Sequence, residues 1–272
     1  MDKSHLMIID AHTHLNTAQL YQNYNIYLKN FEKIWWRILI NAWANSEYNK
    51  EWITISKEAL NNFPNLIIKT AVWWHPCDIP HEKSDFIPLL HDLENLYNEN
   101  KEYIVAIWEC WIDLHFQENP TTDVQQHALK LQAELARKLK LPLMIHSRDW
   151  FHETIEVLKD FSDLKIYFHA WWYWKQELYE AEKIFPNLWI GCTNVIEYPS
   201  ASKIREAICN TKTSKIITET DAPFLPPQCF RGQQNEPSYI WFVYNELSKI
   251  LGIERNELEI IVENNTKLLY WL

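Results

Sequence analysis

The chain has 272 residues, a formal net charge of −10 and 47% hydrophobic residues. That length suits one large core, and the acidic balance excludes a broad basic face for gripping long duplex nucleic acid. No apolar run of spanning length and no basic-then-apolar leader occurs, so no membrane partner is expected. The five cysteines (Cys77, Cys110, Cys192, Cys209, Cys229) lack C-x-x-C spacing and suit reduced thiols in a cytoplasmic protein.

Leu6 to Asp10 reads as a short buried strand, and His12 and His14 follow at once. Side chains two apart on an extended chain point the same way, so both imidazoles can converge on one ion. A lone His-x-His is weak, because core and surface histidines pair this way by chance. Further strand candidates lie at 36–40, 66–72, 104–107, 142–145, 165–168, 188–191 and 215–218, each short, β-branched or aromatic and followed by turn chemistry. Four of them run out at residues of ligand type. Ile107 leads into Trp108-Glu109, Ile145 into His146, Phe168 into His169, and Thr218 into Glu219-Thr220-Asp221. Singly, each residue has an ordinary reading: a hydrogen-bonded core histidine, a helix N-cap, a salt-bridge partner. Jointly, the pattern is that of a metal site.

Between the strands lie segments of helical period. Residues 122–140 place Val124, Ala128, Leu131, Leu135 and Leu139 on one stripe, and Phe151 to Leu158 follow the same logic. The tail from about 238 reads as two more helices, with Tyr239, Phe242, Val243 and Leu247 on one face. Eight strands alternating with helices predict one α/β domain over 1–272, a (β/α)8 TIM barrel with extra C-terminal helices.

Three glycines stand against fifteen tryptophans. Average usage predicts about 19 glycines in a chain of this size, and the two counts together come close to that number. Trp73-Trp74 precede His75-Pro76, Trp108 and Trp111 bracket Glu109, and Trp171, Trp172 and Trp174 follow His169. These are strand-to-loop corners beside ligand residues, where backbone approaches closely and glycine is the usual occupant. One reading is that many of these tryptophans are UGA codons that the organism reads as glycine. The other is a true tryptophan-rich surface that stacks nucleobases.

The motifs resemble those of the TatD family of metal-dependent deoxyribonucleases. They comprise Asp10-Ala11-His12-Thr13-His14-Leu15, Ala71 to Pro76, Ile107 to Asp113, Ile145-His146-Ser147-Arg148-Asp149, Phe168-His169, and Glu219 to Pro226, with Arg231-Gly232, Asn235 and Pro237 beyond. Family glycines stand as Trp73, Trp108 and Trp111, and Leu114-His115 replaces the usual aromatic pair. The resemblance implies two divalent metal ions, Mg2+ or Mn2+ in use with Zn2+ as an alternative occupant. His12, His14 and Asp221 hold the first, His146 and His169 the second, and Glu109 bridges them. Asp221 serves as general base or proton shuttle, and His75 and Arg148 neutralise the phosphate, with an ion pair the alternative for Arg148. Glu219 either faces the ions or orients a ligand histidine. Asp113 is a cap or an orienting group, and Asn235 and Arg231 pin the loop after the last strand.

The expected activity is hydrolysis of DNA phosphodiesters, as a 3′–5′ exonuclease acting as a monomer on DNA ends or single-stranded DNA. An ester or amide hydrolase, such as a deacylase of aminoacyl-tRNA, uses the same metals on another bond. A non-catalytic nucleic-acid-binding module is the reading from another class.

Overall fold

The computed structural model describes residues 8–34, 36–42, 46–72, 79–110, 112 and 119–272; the side chains of 36, 37, 46–52, 109 and 110 are outside that description. Eight parallel strands form one sheet in chain order: β1 (Ile8–Thr13), β2 (Trp36–Ala42), β3 (Ile67–Val72), β4 (Ile104–Cys110), β5 (Leu143–Ile145), β6 (Ile166–Phe168), β7 (Leu188–Cys192) and β8 (Ile216–Thr218). A helix follows each of the first seven: α1 (Tyr24–Lys33), α2 (Ser46–Asn62), α3 (Phe86–Glu99), α4 (Thr122–Leu139), α5 (Phe151–Leu158), α6 (Lys175–Ile184) and α7 (Ser202–Asn210). After β8 come α8 (Ile240–Leu251) and α9 (Arg255–Tyr270), the two extra helices expected of the tail.

The sheet curls until β8 meets β1. Thr218 Oγ1 donates to the Ile9 carbonyl at 3.2 Å, Asp221 N–H to that of His12 at 3.0 Å, and His14 N–H to that of Ala222 at 2.7 Å. This is a nearly closed (β/α)8 barrel. β1, β5, β6, β7 and β8 are buried along their whole length, as both faces of a helix-covered parallel sheet must be.

The helices bury one stripe each. On α4, Val124, Ala128, Leu129, Ala133, Leu135 and Ala136 are buried while Lys130, Glu134, Arg137 and Lys138 face solvent. Leu131 and Leu139, expected on the buried stripe, lie at its half-buried edge. α9 is docked by Asn265, whose Nδ2 donates to the carbonyls of Thr213 and Ile216 beside β8. Among the described residues no helix is long and apolar enough to cross a membrane.

Two strands run three or more residues further than their sequence suggests. β1 continues to Thr13, so His12 lies within it, and β4 continues to Cys110, so Glu109 lies within it. The cause is pairing: Thr13 is opposite Asn41 of β2, and Cys110 opposite Ile145 of β5, each after a local irregularity in the ladder.

Candidate metal centre

The register of the barrel brings the ligand residues to one rim. Ile145 and Phe168 are opposite each other, so His146 and His169 leave β5 and β6 at the same height. Their ring nitrogens, His146 Nδ1 and His169 Nε2, come within 2.7 Å. His169 is buried and His146 half-buried.

The second group is His12, His14 and Asp221. His12 Nε2 lies 2.9 Å from His14 Nε2, and these two atoms lie 3.3 and 3.0 Å from Asp221 Oδ1. All three residues are buried. Donor atoms about 3 Å apart and facing one point match the spacing of ligands around a single cation. His14 Nδ1–H donates to the Ala42 carbonyl, which leaves the Nε2 lone pair facing inward. His12 Nδ1 sits against Met144 Sδ at 3.3 Å. Burial holds the His12 imidazole well below its ordinary pKa, reinforced by the neighbouring His169 and His14, so it is neutral and able to ligate. Burial pulls Asp221 upward, but the His12 and His14 ring nitrogens beside it outweigh that and hold its carboxyl far below the usual carboxylate range. A neutral His12 imidazole beside an ionised carboxylate is the combination of protonation states a divalent ion requires.

Asp221 adopts the left-handed conformation at φ 57°, a costly one for a residue with a side chain. Its surroundings impose it. Its N–H is tied to His12 of β1, and its carbonyl accepts from Phe224 N–H at 2.8 Å. One residue earlier, Thr220 donates to Asp10 twice, through its backbone N–H at 2.9 Å and its hydroxyl at 2.6 Å. Asp10 also accepts from His12 N–H at 3.3 Å, so one buried carboxyl fastens both ends of the ligand set. Burial raises its pKa well above the ordinary value, opposed by those Thr220 and His12 bonds. Beyond the turn, Asn235 Nδ2 donates to the carbonyls of Thr220, Phe224 and Leu225, pinning the loop as its sequence suggests. Arg231 instead lies with its guanidinium 4.3 Å from the Tyr198 ring.

Glu219 is fully buried behind His169, with Oε1 at 3.5 Å from His169 Nδ1. It accepts hydrogen bonds from the Tyr167 hydroxyl and the Ala170 N–H. The carboxylate thus orients the ring whose other nitrogen faces His146. Gly191 on β7 makes room for it: a Cβ there would lie 2.8 Å from Glu219 Cδ and 2.8 Å from the Tyr167 hydroxyl. Because His12, His169 and Glu219 donor atoms also lie within 4.8 Å of one another, Glu219 stays within reach of an ion.

Glu109 belongs to β4, one residue before Cys110, which pairs with Ile145, so its backbone stands level with the histidines; its side chain lies outside the described residues. His75, Asp113, Trp73, Trp111 and His5 also lie outside them. Arg148 is exposed, its guanidinium 5.3 Å from the Trp172 ring, beside a cleft of about 280 Å³ that Tyr173, Tyr198 and Lys203 also line. His81, His91 and His152 are exposed, and His127 packs its ring against Phe86 at 5.7 Å. Asp10, Thr220 and Tyr167 were not expected at the site. Asp10 had a signal, a carboxylate one step before the histidine pair. Tyr167 had none, since an aromatic inside a strand reads as core.

The donor sets therefore fit divalent cations. One neighbour competes with them for space. Trp108, fully buried, has its ring centroid 3.9 Å from that of His12 and 4.7 Å from that of His169.

Comparison with known proteins agrees with this geometry. The model of the TatD related DNase family matches residues 9–271. The chain is 26% identical over 268 residues to an uncharacterized metal-dependent hydrolase, YabD, of Bacillus subtilis, covering 97% of this chain and 99% of that one. It is 31% identical over 173 residues to the human 3′-5′ RNA nuclease TATDN2, covering 62% of this chain and 23% of that one. In three dimensions it is similar to the crystal structure of YJJV, a TatD homologue from Escherichia coli, with a TM-score of 0.84, 23% identity, and 97% and 98% of the two chains covered. With barrel, donor set and family match in agreement, the chain belongs to the TatD family of metal-dependent hydrolases.

Proposed function

We propose that the protein is a nuclease that hydrolyses DNA phosphodiester bonds from the 3′ end of single strands, using two divalent ions at the barrel rim. The observation that carries this reading is the placement of two donor sets side by side, with the His12 and His169 ring centroids only 4.3 Å apart. His12, His14 and Asp221 would hold one ion and His146 and His169 the other, with Glu109 as a further carboxylate ligand between the two sets. Mg2+ or Mn2+ suits the work, with Zn2+ a competent occupant. When bound, the ions supply Lewis acidity toward phosphoryl oxygens and a nucleophilic water at neutral pH.

The remaining chemistry is the chain's own. Asp221, beside the position of the attacking water, is the candidate general base or proton shuttle. Glu219 keeps His169 in the tautomer whose Nε2 faces the rim. Arg148 and His75 neutralise phosphate charge. The net charge of −10 favours a strand end over a long duplex.

The likeness to TATDN2 supports a second substrate, RNA. Both are tested by incubating the protein with Mn2+ or Mg2+ and end-labelled single-stranded DNA and RNA of one sequence, with an acyl ester as a third arm. The expected result is stepwise loss from the 3′ end of DNA, abolished by EDTA and restored by Mn2+. Cleavage of RNA alone would move the assignment to RNA, and turnover of the ester alone would replace phosphodiester chemistry altogether.

A further inference from the structure

Among the described residues, two tryptophans occupy places where the backbone and its neighbours call for glycine. Trp108 is the bulkiest wholly buried side chain among the described residues, and it is wedged between the His12 and His169 rings. An ion held by these histidines needs its donors to close on it and room for a water and a phosphate oxygen. An indole at 3.9 Å takes that room. Trp271 stands at the C-terminal end of α9 with φ 60° and ψ 37°, the left-handed conformation that ends helices and is usually given to glycine. α8 ends the same way at Gly252, with φ 66° and ψ 30°. Lys140 after α4 shows that a side chain can be carried there, but a large aromatic is a far rarer occupant. The Trp271 ring also covers Lys165, whose Nζ is 3.1 Å from its centroid, and burial pushes that lysine down to about 8.

Other tryptophans carry no such argument. Trp189 lies within β7 and Trp241 within α8, in regular backbone, with Lys215 and Arg255 over their rings at 4.9 and 3.5 Å.

We propose that codons 108 and 271 are UGA and that the organism inserts glycine at them, so that the working protein has an open rim and an unstrained end to α9. The shortage of glycine, three against fifteen tryptophans, points the same way. The claim for position 108 rests on the metal-hydrolase reading, and the claim for 271 rests on backbone conformation alone.

The gene and the native protein decide it. UGA at both codons, and glycine in both peptides by mass spectrometry of protein from its own organism, are expected. UGG at codon 108, or tryptophan in that peptide, overturns the proposal at the rim; the same result at 271 overturns it at the helix end. Manganese binding by equilibrium dialysis then tests the consequence. Trp108→Gly should bind Mn2+ at least tenfold more tightly than the tryptophan form, with Trp108→Ala as a second variant should the first misfold. Equal binding by folded variants and the tryptophan form overturns the idea that the indole obstructs the rim. Trp271→Gly should leave metal binding unchanged and raise the thermal midpoint; a lowered midpoint overturns the claim for α9. Absence of metal binding in every form with UGA present would fault the metal reading and leave the decoding standing.

Discussion

The two halves of the rim are built differently. Where β8 meets β1, the ligands His12, His14 and Asp221 are fixed by backbone hydrogen bonds across the seam and by one buried carboxyl, Asp10, that binds both sides. Where β5 meets β6, His146 is half-buried, and His169 is oriented from behind by a single carboxylate, Glu219. The seam is preorganised by the chain itself; the β5/β6 pair depends on a few side chains. In the proposed mechanism, the seam ion is therefore the retained one and the His146/His169 ion the exchangeable one.

That contrast can be broken at several points. Asp221→Ala should have the largest effect, lowering kcat/KM on 3′-labelled DNA by about a thousandfold, the upper range for losing one charged stabiliser at a reacting centre. Retained activity would remove Asp221 from the chemistry. His146→Ala should cost about a hundredfold and release one ion per chain, measured by elemental analysis after gel filtration. Loss of both ions would show that the halves are not independent. Glu219→Gln keeps the shape and removes the charge; about tenfold weaker metal binding is expected, read by competition with a chelator. Unchanged affinity in the folded variant would make Glu219 a packing residue.

Asp10→Ala should act on the fold more than on the chemistry. It strands the buried Thr220 N–H and hydroxyl, at about 1–3 kcal/mol in urea unfolding. A smaller cost would mean that the seam holds without it. The smallest effect belongs to Lys165, far from both ligand sets. Its folded pKa of about 8 lies below the ordinary 10.5, so between these values the unfolded chain holds a proton that the folded chain has released. Stability should therefore rise slightly from pH 8 toward 10.5, and Lys165→Met should flatten the rise in urea midpoints measured across that range. A rise of equal size in the variant would assign it to other groups.

Much of this was readable from residues alone. The eight strands, the two tail helices and the gathering of His12, His14, His146, His169 and Asp221 follow from apolar runs that end at ligand types, because a parallel barrel delivers every strand end to one rim. The lengths of β1 and β4 were not readable, because they are set by pairing with Asn41 and Ile145, partners distant in sequence. The Asp10–Thr220 tie, between residues 210 positions apart, was hidden for the same reason. Glu219 was legible as a carboxylate that faces the ions or orients a histidine, but not which histidine it stands behind, nor its bond from Tyr167. That needs the relative rotation of β6 and β8, which no local pattern contains. Arg148 was expected on phosphate or a carboxylate and is found against Trp172, a contact made across two loops.

Gly191 gives the barrel a hidden dependency. It has ordinary backbone, touches no ion and sits on a strand that carries no ligand, so a substitution there would be scored as damage to packing. Yet any side chain added at 191 must displace Glu219 or Tyr167, and through them the His169 ring. A variant could keep every candidate ligand, fold well and still lose the placement of His169, with the fault located in a residue that a survey of the site would never include.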